Sequence, residues 1–488
     1  MMRSLSEILK NLDTKKIIGR VNIQVAEIRF DSRTVKNGDL FVAVKGSQID
    51  SHKFINNVVE NSVAAVVCEN LPEQISNKVT YIVVEDSKKA LGIIASVFYD
   101  NPSSKLKLIG VTGTNGKTTT VTLLYNLFRK LGYKVGVLST VRNYINDKKI
   151  VATHTTPDAV QINSLLNKMI IDDCEYCFME VSSHAIHQNR IAGLNFAGAI
   201  FTNITHDHLD YHKTFADYIS AKKSFFDNLN KDAFALVNID DKNGRIMVQN
   251  TKAKVMSFGI KSLADYKARI IENHFDGSLI SIENVDVWTH FVGEFNVYNL
   301  LSVYACALLL NQESYDILTV ISELKAVEGR FETIISKNNI TAIVDYAHTP
   351  DALKNVIKAI NKILKTNQKL ITVVGAGGDR DKTKRPEMAK IAVANSNKIV
   401  FTSDNPRTED PTSIINDMKK GIEDKDKKKV LTVIDRREAI RTACFLAEEN
   451  DIVLIAGKGH ETYQEINGIK NHFDDREEVK KIFNEINN

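Results

Sequence analysis

Residues 111–120 read VTGTNGKTTT, directly after the apolar Leu106-Lys-Leu-Ile-Gly110 and just ahead of a helical pattern over 121–131. A strand, a glycine turn and a helix start in that order form the layout that grips a nucleotide triphosphate. Gly113 and Gly116 let the backbone turn its N–H groups onto phosphate oxygens, with Thr114, Asn115 and Thr119 in the same cradle. Lys117 reaches the terminal phosphates, and the Thr118 hydroxyl is placed for Mg²⁺. ATP is the expected ligand. The general pattern is a glycine, four residues, then GK[ST]; here Val111 stands where the first glycine would be, so the loop is a variant.

At 488 residues the chain is long enough for about three domains. Its 43% hydrophobic and 25% charged content and net charge of +4 are those of an ordinary globular protein, and nucleic acid is not implied as a partner. No N-terminal stretch joins a basic start to a long apolar core, and no apolar run nears the roughly 20 residues that span a bilayer. A cytoplasmic protein without stable membrane association is therefore expected, as a monomer. The five cysteines are few and odd in number, which suits a reducing compartment. Cys174-Glu-Tyr-Cys177 has the spacing of a redox or zinc pair, but with no second pair it reads as two ordinary strand cysteines.

Residues 20–100 alternate short β-type runs, such as Leu40–Val44 and Tyr81–Val84, with helical stretches, the pattern of a small α/β domain. The polar Asn101-Pro-Ser-Ser104 marks a linker. From there a βα rhythm continues to Gly329-Arg330 and restarts at Thr341–Val344. The expectation is an α/β protein of three domains: a small N-terminal α/β domain at 1–103, a central ATP-binding domain at 104–331 built on a P-loop ATPase-type parallel sheet, and a doubly wound, Rossmann-like C-terminal domain at 332–488. Glu423–Lys429 is a charge run and reads as a solvated loop.

Further short motifs follow one another along the chain: Asp31-Ser-Arg33, Thr155-Thr-Pro-Asp158, Glu180-Val-Ser-Ser-His184, Asp207-His-Leu-Asp210, Tyr218-Ile-Ser-Ala-Lys222, Asn296-Val-Tyr-Asn299, Gly329-Arg330-Phe331, Asp345-Tyr-Ala-His348, Asp404-Asn-Pro-Arg407 and Gly457-Lys-Gly-His-Glu461. Together with TGTNGKTT, and in this order over nearly the whole chain, they resemble the Mur ligase family, the ATP-dependent amide-forming enzymes of peptidoglycan precursor synthesis, and within it the diaminopimelate-adding members.

The resemblance implies a role for each motif. Glu180 and His208 would help Thr118 hold magnesium. Lys222, which periodicity alone places on a solvated helix face beside Lys223, would be carbamylated by CO₂ and become an anionic ligand for a second Mg²⁺. Asn296 and Asn299, one turn apart on a helix, would face the adenine, with Arg330 and Asp345 on the phosphate and ribose side. The role of His348 stays open. Zinc at the histidines of 206–212 is conceivable from their spacing, but a triphosphate site calls for magnesium.

Ser32, Ser47 and Gln48 resemble the part of the family that holds the uridine end of its substrate. Thr155, Thr156, Ser182, Gln188 and Arg190 match positions that take the muramoyl peptide. In the last stretch, Arg380 and the Asp404-Asn405-Pro406-Arg407 loop can grip a carboxylate, while Gly457 and Glu461 offer a carbonyl and an anion to an ammonium group. That set describes an amino acid with a second zwitterionic end. The alternative is that Arg407 pairs with a protein carboxylate such as Glu409 or Asp410.

The reaction implied is the ATP-driven addition of meso-2,6-diaminopimelate to UDP-N-acetylmuramoyl-L-alanyl-D-glutamate through an acyl phosphate, with Lys117, Lys222 and His208 as the catalytic set. L-lysine addition or another amide ligase of the superfamily is the nearest alternative. A P-loop kinase or ATPase that forms no amide, and a nucleotide-regulated binding protein, are the alternatives from other classes. Gly375-Ala-Gly-Gly378 lacks the GxGxxG spacing of a dinucleotide site, which argues against an oxidoreductase.

Overall fold

The computed structural model describes residues 2–46, 49–152 and 154–486. The predicted uridine-side residues Ser47 and Gln48 lie outside the described residues. The chain is mixed α/β, organised around three main sheets.

The strand that leads into the glycine turn, Lys107–Thr112, is buried from its second residue onward and lies between two parallel neighbours, Tyr176–Glu180 and Gly198–Phe201. Successive side chains on a strand face opposite ways, so Ile109 and Val111 enter one core with the helices Lys117–Lys130 and Glu294–Leu309, while Leu108 enters another with Ala159–Ile171 and Phe215–Asp227. Burial on both faces explains why the strand reads as a continuous apolar run. Parallel pairing continues through Val135–Leu138 on one side and Phe234–Asn238 and Lys254–Gly259 on the other.

The sheet has eleven strands and is not wholly parallel. One edge carries the antiparallel hairpin Asn143–Ile145/Lys148–Ile150, and the other ends in the antiparallel run Tyr266–His274, Gly277–Ile282 and Val285–Thr289. These short or partly exposed strands lack the apolar continuity that marks the central ones. Glu283 and Asn284 supply the positive φ that a two-residue turn needs.

In the C-terminal sheet, Thr341–Asp345, Ile452–Ala456, Leu370–Val374, Lys398–Phe401 and Val430–Thr432 are parallel and Glu332–Ile335 pairs antiparallel at the edge. Alternate residues go to opposite cores: Ile343 and Leu454 meet the helices Pro350–Asn361, Lys384–Asn395 and Pro411–Lys419, and Val344 and Ile455 meet Arg436–Leu446 and Asp475–Ile486. Helices on both faces make this sheet doubly wound. The N-terminal sheet has five strands, with Leu40–Val42, Ala65–Cys68 and Thr80–Val83 parallel to one another. The charge run of the sequence forms a 3₁₀ turn, Asp424–Lys429. Cys177 lies in a strand and Cys174 just before it, both buried and free. Among the described residues no helix is long and apolar enough to cross a membrane.

Candidate active site

The carboxyl ends of the central and C-terminal parallel strands face a common cleft of about 1230 Å³. Open α/β sheets place ligands there. The whole predicted phosphate loop lines it, from Gly113 to Thr119. Gly113 has φ +154° and Gly116 +86°; a Cβ on Gly116 would stand 2.5 Å from Asn299 Oδ1, so both conformation and space demand glycine. Thr114 N donates to Asn203 O at 2.8 Å and Asn115 N to Asn203 Oδ1 at 2.9 Å, which ties the loop to the neighbouring strand end. Lys117 Nζ donates to Gly113 O and Thr114 O, both at 2.8 Å. Burial lowers the pKa of its ammonium, against the pull of Glu180 and Asp207.

Around this loop the predicted metal ligands assemble. Glu180 is fully buried at its strand end, where its carboxylate accepts from Thr140 N at 2.8 Å and Thr140 Oγ1 at 3.2 Å. His208 sits at φ +54°, and burial pushes its imidazole down to about 3, with Asp207 opposing, so Nε2 or Nδ1 has a lone pair at neutral pH. Burial works against the Asp207 carboxylate, yet His208 and Lys384 outweigh it and hold its pKa below the usual range.

Lys222 is 1% exposed and not solvated as its helix periodicity suggests. Its Nζ donates to Gly113 O at 2.9 Å and lies 4.8 Å from the Tyr218 ring centre, while Lys223 pairs with Asp227 at 2.7 Å. Burial and then the charge of Lys117 push the Lys222 ammonium well below its ordinary pKa. The helix face that looked polar in the sequence packs beneath the phosphate loop, which no one-dimensional pattern records.

Asn296 and Asn299 line the cleft on one helix face; Asn299 Nδ2 donates to Asn296 Oδ1 at 3.2 Å and Asn296 Nδ2 to Val292 O at 2.9 Å. Arg330 stacks 4.4 Å over the Tyr346 ring and donates from Nη2 to Thr118 Oγ1 at 3.3 Å. Asp345, whose carboxyl burial raises to about 6 against Arg330, accepts from Phe331 N at 2.7 Å. Two contacts that the motifs did not single out also cross from the C-terminal sheet to the loop region: Lys384 pairs with Asp207, and Asn115 Nδ2 donates to Asp351 Oδ2 at 3.0 Å. Lys384 sits in a basic, polar stretch with no sequence signal to lift it above a surface lysine.

The predicted acceptor side is partly assembled. Thr156 Oγ1 donates to Glu180 O at 2.8 Å, Thr155 bonds Thr140, and Arg190 Nη1 donates to Thr156 O at 2.8 Å. Ser182 caps the short helix Ser183–His187. Thr155, Thr156, Ser182 and Arg190 line the cleft, whereas Gln188 does not and accepts from Arg190 at 2.7 Å. Ser32 begins a 3₁₀ turn in the N-terminal domain and does not line the cleft.

At the far end, Arg380, Asp404, Asn405, Arg407, Gly457 and Glu461 line the same cleft, whereas Pro406, between Asn405 and Arg407, does not. Arg407 does meet a protein carboxylate, as the alternative has it, but the partner is Glu465 and neither Glu409 nor Asp410. Glu409 accepts from the buried Arg385 at 2.8 Å, and Asp410 caps the helix Pro411–Lys419. Arg407 instead donates to Gly378 O at 2.6 Å and lies 3.7 Å from Glu465, on the hairpin Tyr463–Ile466/Ile469–His472. The sequence reading missed that hairpin, which clasps the loop through Arg407 N to Glu465 O at 3.1 Å and Gln464 Nε2 to Asp404 O at 2.7 Å.

A strand-glycine-helix phosphate site, closed by a second doubly wound sheet that carries arginines, defines a nucleotide-dependent enzyme of two facing α/β units. Comparison with known proteins places it: the chain belongs to the Mur ligase family, with residues 24–99 matching "Mur ligase family, catalytic domain", 111–307 "Mur ligase middle domain" and 329–459 "Mur ligase, glutamate ligase domain". Among curated relatives, the UDP-N-acetylmuramoyl-L-alanyl-D-glutamate--2,6-diaminopimelate ligases of Bacteroides fragilis and Phocaeicola vulgatus are 55% and 54% identical, each over 98% of this chain and 99% of the relative. A solved structure of an enzyme with that same name is 30% identical, covers 100% of both chains and superposes with a TM-score of 0.72.

Proposed function

We propose that this chain is the ATP-dependent ligase that adds meso-2,6-diaminopimelate to UDP-N-acetylmuramoyl-L-alanyl-D-glutamate, with domains at 1–103, 104–331 and 332–488. One observation carries the reading: the phosphate loop, the buried Lys222 and the Asp404–Arg407 loop, which are far apart in sequence, open into one cleft. Full-length similarity to enzymes of that name supports it.

The chemistry follows from the layout. Backbone N–H groups at the helix end of the loop, 116–119, cradle the triphosphate while those of Thr114 and Asn115 hold Asn203, and Lys117 exchanges its loop carbonyls for the terminal phosphate. The γ-phosphoryl group passes to the acceptor's glutamyl side-chain carboxylate, giving an acyl phosphate and ADP. The incoming amine attacks the acyl carbon, and phosphate leaves from the tetrahedral intermediate. Lys117 and Arg330 stand where negative charge develops. No protein nucleophile is required.

Magnesium fits this donor set. Thr118 hydroxyl, Glu180 carboxylate and neutral His208 imidazole are hard or borderline ligands, and among the described residues no group of three or more His, Cys, Asp or Glu could hold a metal by itself. An ion here would complete its shell with phosphate oxygens and water, as Mg²⁺ does in triphosphate sites, and would neutralise the transferring charge. A carbamate on Lys222 would add an anionic ligand; its depressed pKa leaves a fraction of the amine unprotonated, the form that reacts with CO₂.

Lys117→Ala tests the reading. Phosphate release by the wild type should require both the UDP-linked acceptor and the amino acid, and the variant should lose about a hundredfold or more in turnover while still binding the acceptor by calorimetry. Phosphate release without either co-substrate, or ADP without free phosphate, would mark an ATPase or a kinase instead.

A further inference from the structure

Beneath the Asp404–Arg407 loop lies a cation that the motif roles leave unassigned. Lys458 has a fully buried side chain. Its Nζ donates to Asn405 Oδ1 at 3.0 Å and to Glu461 Oε2 at 3.2 Å, and lies 5.5 Å from the Tyr463 ring centre. Asn405 Oδ1 also accepts from Glu465 N at 2.9 Å. With two donors on its oxygen, the Asn405 amide has one orientation, and its Nδ2 then donates to Glu461 Oε2 at 2.7 Å.

Both bonds to Glu461 fall on the same oxygen. The second oxygen of a carboxylate that lines the cleft is the one left for a ligand. Asp404 is close by, with a buried Oδ2 that has no hydrogen-bond partner and stands 3.8 Å from Arg436. Arg436 is itself committed to Asp475, with Nη2 to Oδ2 at 2.8 Å. Lys458 is thus the cation that both orients Asn405 and offsets part of the negative charge of Asp404 and Glu461.

Resting on the reaction read above, we propose that Lys458 is a positioning residue for selection of the incoming amino acid: it locks Asn405 so that Glu461 presents a single oxygen to the ammonium of a diamino acid. Lys458 touches no reacting atom and acts through Asn405 and Glu461. Removing it frees the Asn405 amide to turn over and leaves Glu461 to collapse onto whatever donor it finds, so recognition of the amino acid suffers before recognition of ATP or the UDP-linked acceptor.

The test is steady-state kinetics on the full chain with meso-diaminopimelate, using Lys458→Met, which keeps length and loses charge and donors, and Lys458→Gln, which keeps one donor for Asn405. The Met variant should raise KM for the amino acid about tenfold or more, with KM for ATP and for the acceptor within about twofold, and the Gln variant should recover part of the loss. If the Met variant does not fold, the Gln variant alone carries the test. An unchanged amino-acid KM, or three KM values rising together as a general loosening would cause, overturns the proposal. A wild type that forms no amide with any diamino acid would instead overturn the reading on which it rests.

Discussion

Two adjacent lysines show how differently neighbouring residues are read by a sequence and by a fold. Ser220–Phe226 reads as an amphipathic helix with a solvated lysine pair, yet neither lysine is solvated: Lys223 is only 15% exposed and bonds Asp227 one turn on. Lys222 points under the phosphate loop, where burial and Lys117 depress its pKa. Only the likeness of Tyr218–Lys222 to a family motif singled it out, because the helix period cannot say that a glycine turn from 109 residues earlier covers that face. Lys222→Ala should lose nearly all activity and regain part of it with added formate or acetate, which would supply the missing carboxylate to the metal. Lys223→Ala removes a largely buried i,i+4 pair that does not line the cleft, so the variant should keep most of its activity. Activity measured for the two variants, with and without carboxylate, decides; a dead Lys223 variant and a healthy Lys222 variant would shift the functional lysine by one position.

Strands buried on both faces announced themselves as apolar runs, which is why the central parallel strands and the glycine turn after Lys107–Thr112 were legible. The elements that shape the amino-acid end were not. Tyr463–Ile466 and Ile469–His472 are half-exposed or exposed, so they carry no core pattern, yet their backbone clasps the Asp404–Arg407 loop and brings Glu465 to 3.7 Å from Arg407. That carboxylate changes how Arg407 works. At 3.7 Å it steadies the guanidinium without a full bidentate pair, leaving it able to meet a ligand carboxylate. A ligand ending in ammonium alone would bring a like charge to the same place. Arg407→Ala should therefore lower kcat/KM for meso-diaminopimelate by the equivalent of about 2–5 kcal/mol and affect L-lysine far less. Paired measurements of the two amino acids check it, and a wild type that prefers L-lysine would remove Arg407 from the selection.

Two polar contacts between the central and C-terminal units lie near the phosphate loop, Asn115 with Asp351 and Lys384 with Asp207, and Arg330, at the junction of the units, reaches Thr118 beside them. The first two depend on the angle between two units, a property that no local sequence pattern encodes, and neither was anticipated, whereas Arg330 is carried by a motif. The Lys384–Asp207 pair is the most consequential, because both side chains are largely buried and Asp207 adjoins His208. Breaking one half of such a pair strands the other charge away from water, at a cost of a few kcal/mol that falls on the closed arrangement alone, since opening rehydrates Asp207. Lys384→Ala should therefore shift the protein toward an open form. Small-angle scattering with a non-hydrolysable ATP analogue should give a larger radius of gyration for this variant than for wild type, and turnover should fall about tenfold or more. Lys382→Ala is the control: Lys382 pairs with Glu409 within the C-terminal unit and is mostly exposed, so its loss should alter neither quantity. Equal radii and equal turnover for Lys384→Ala and wild type would show that the pair forms without holding the two units together.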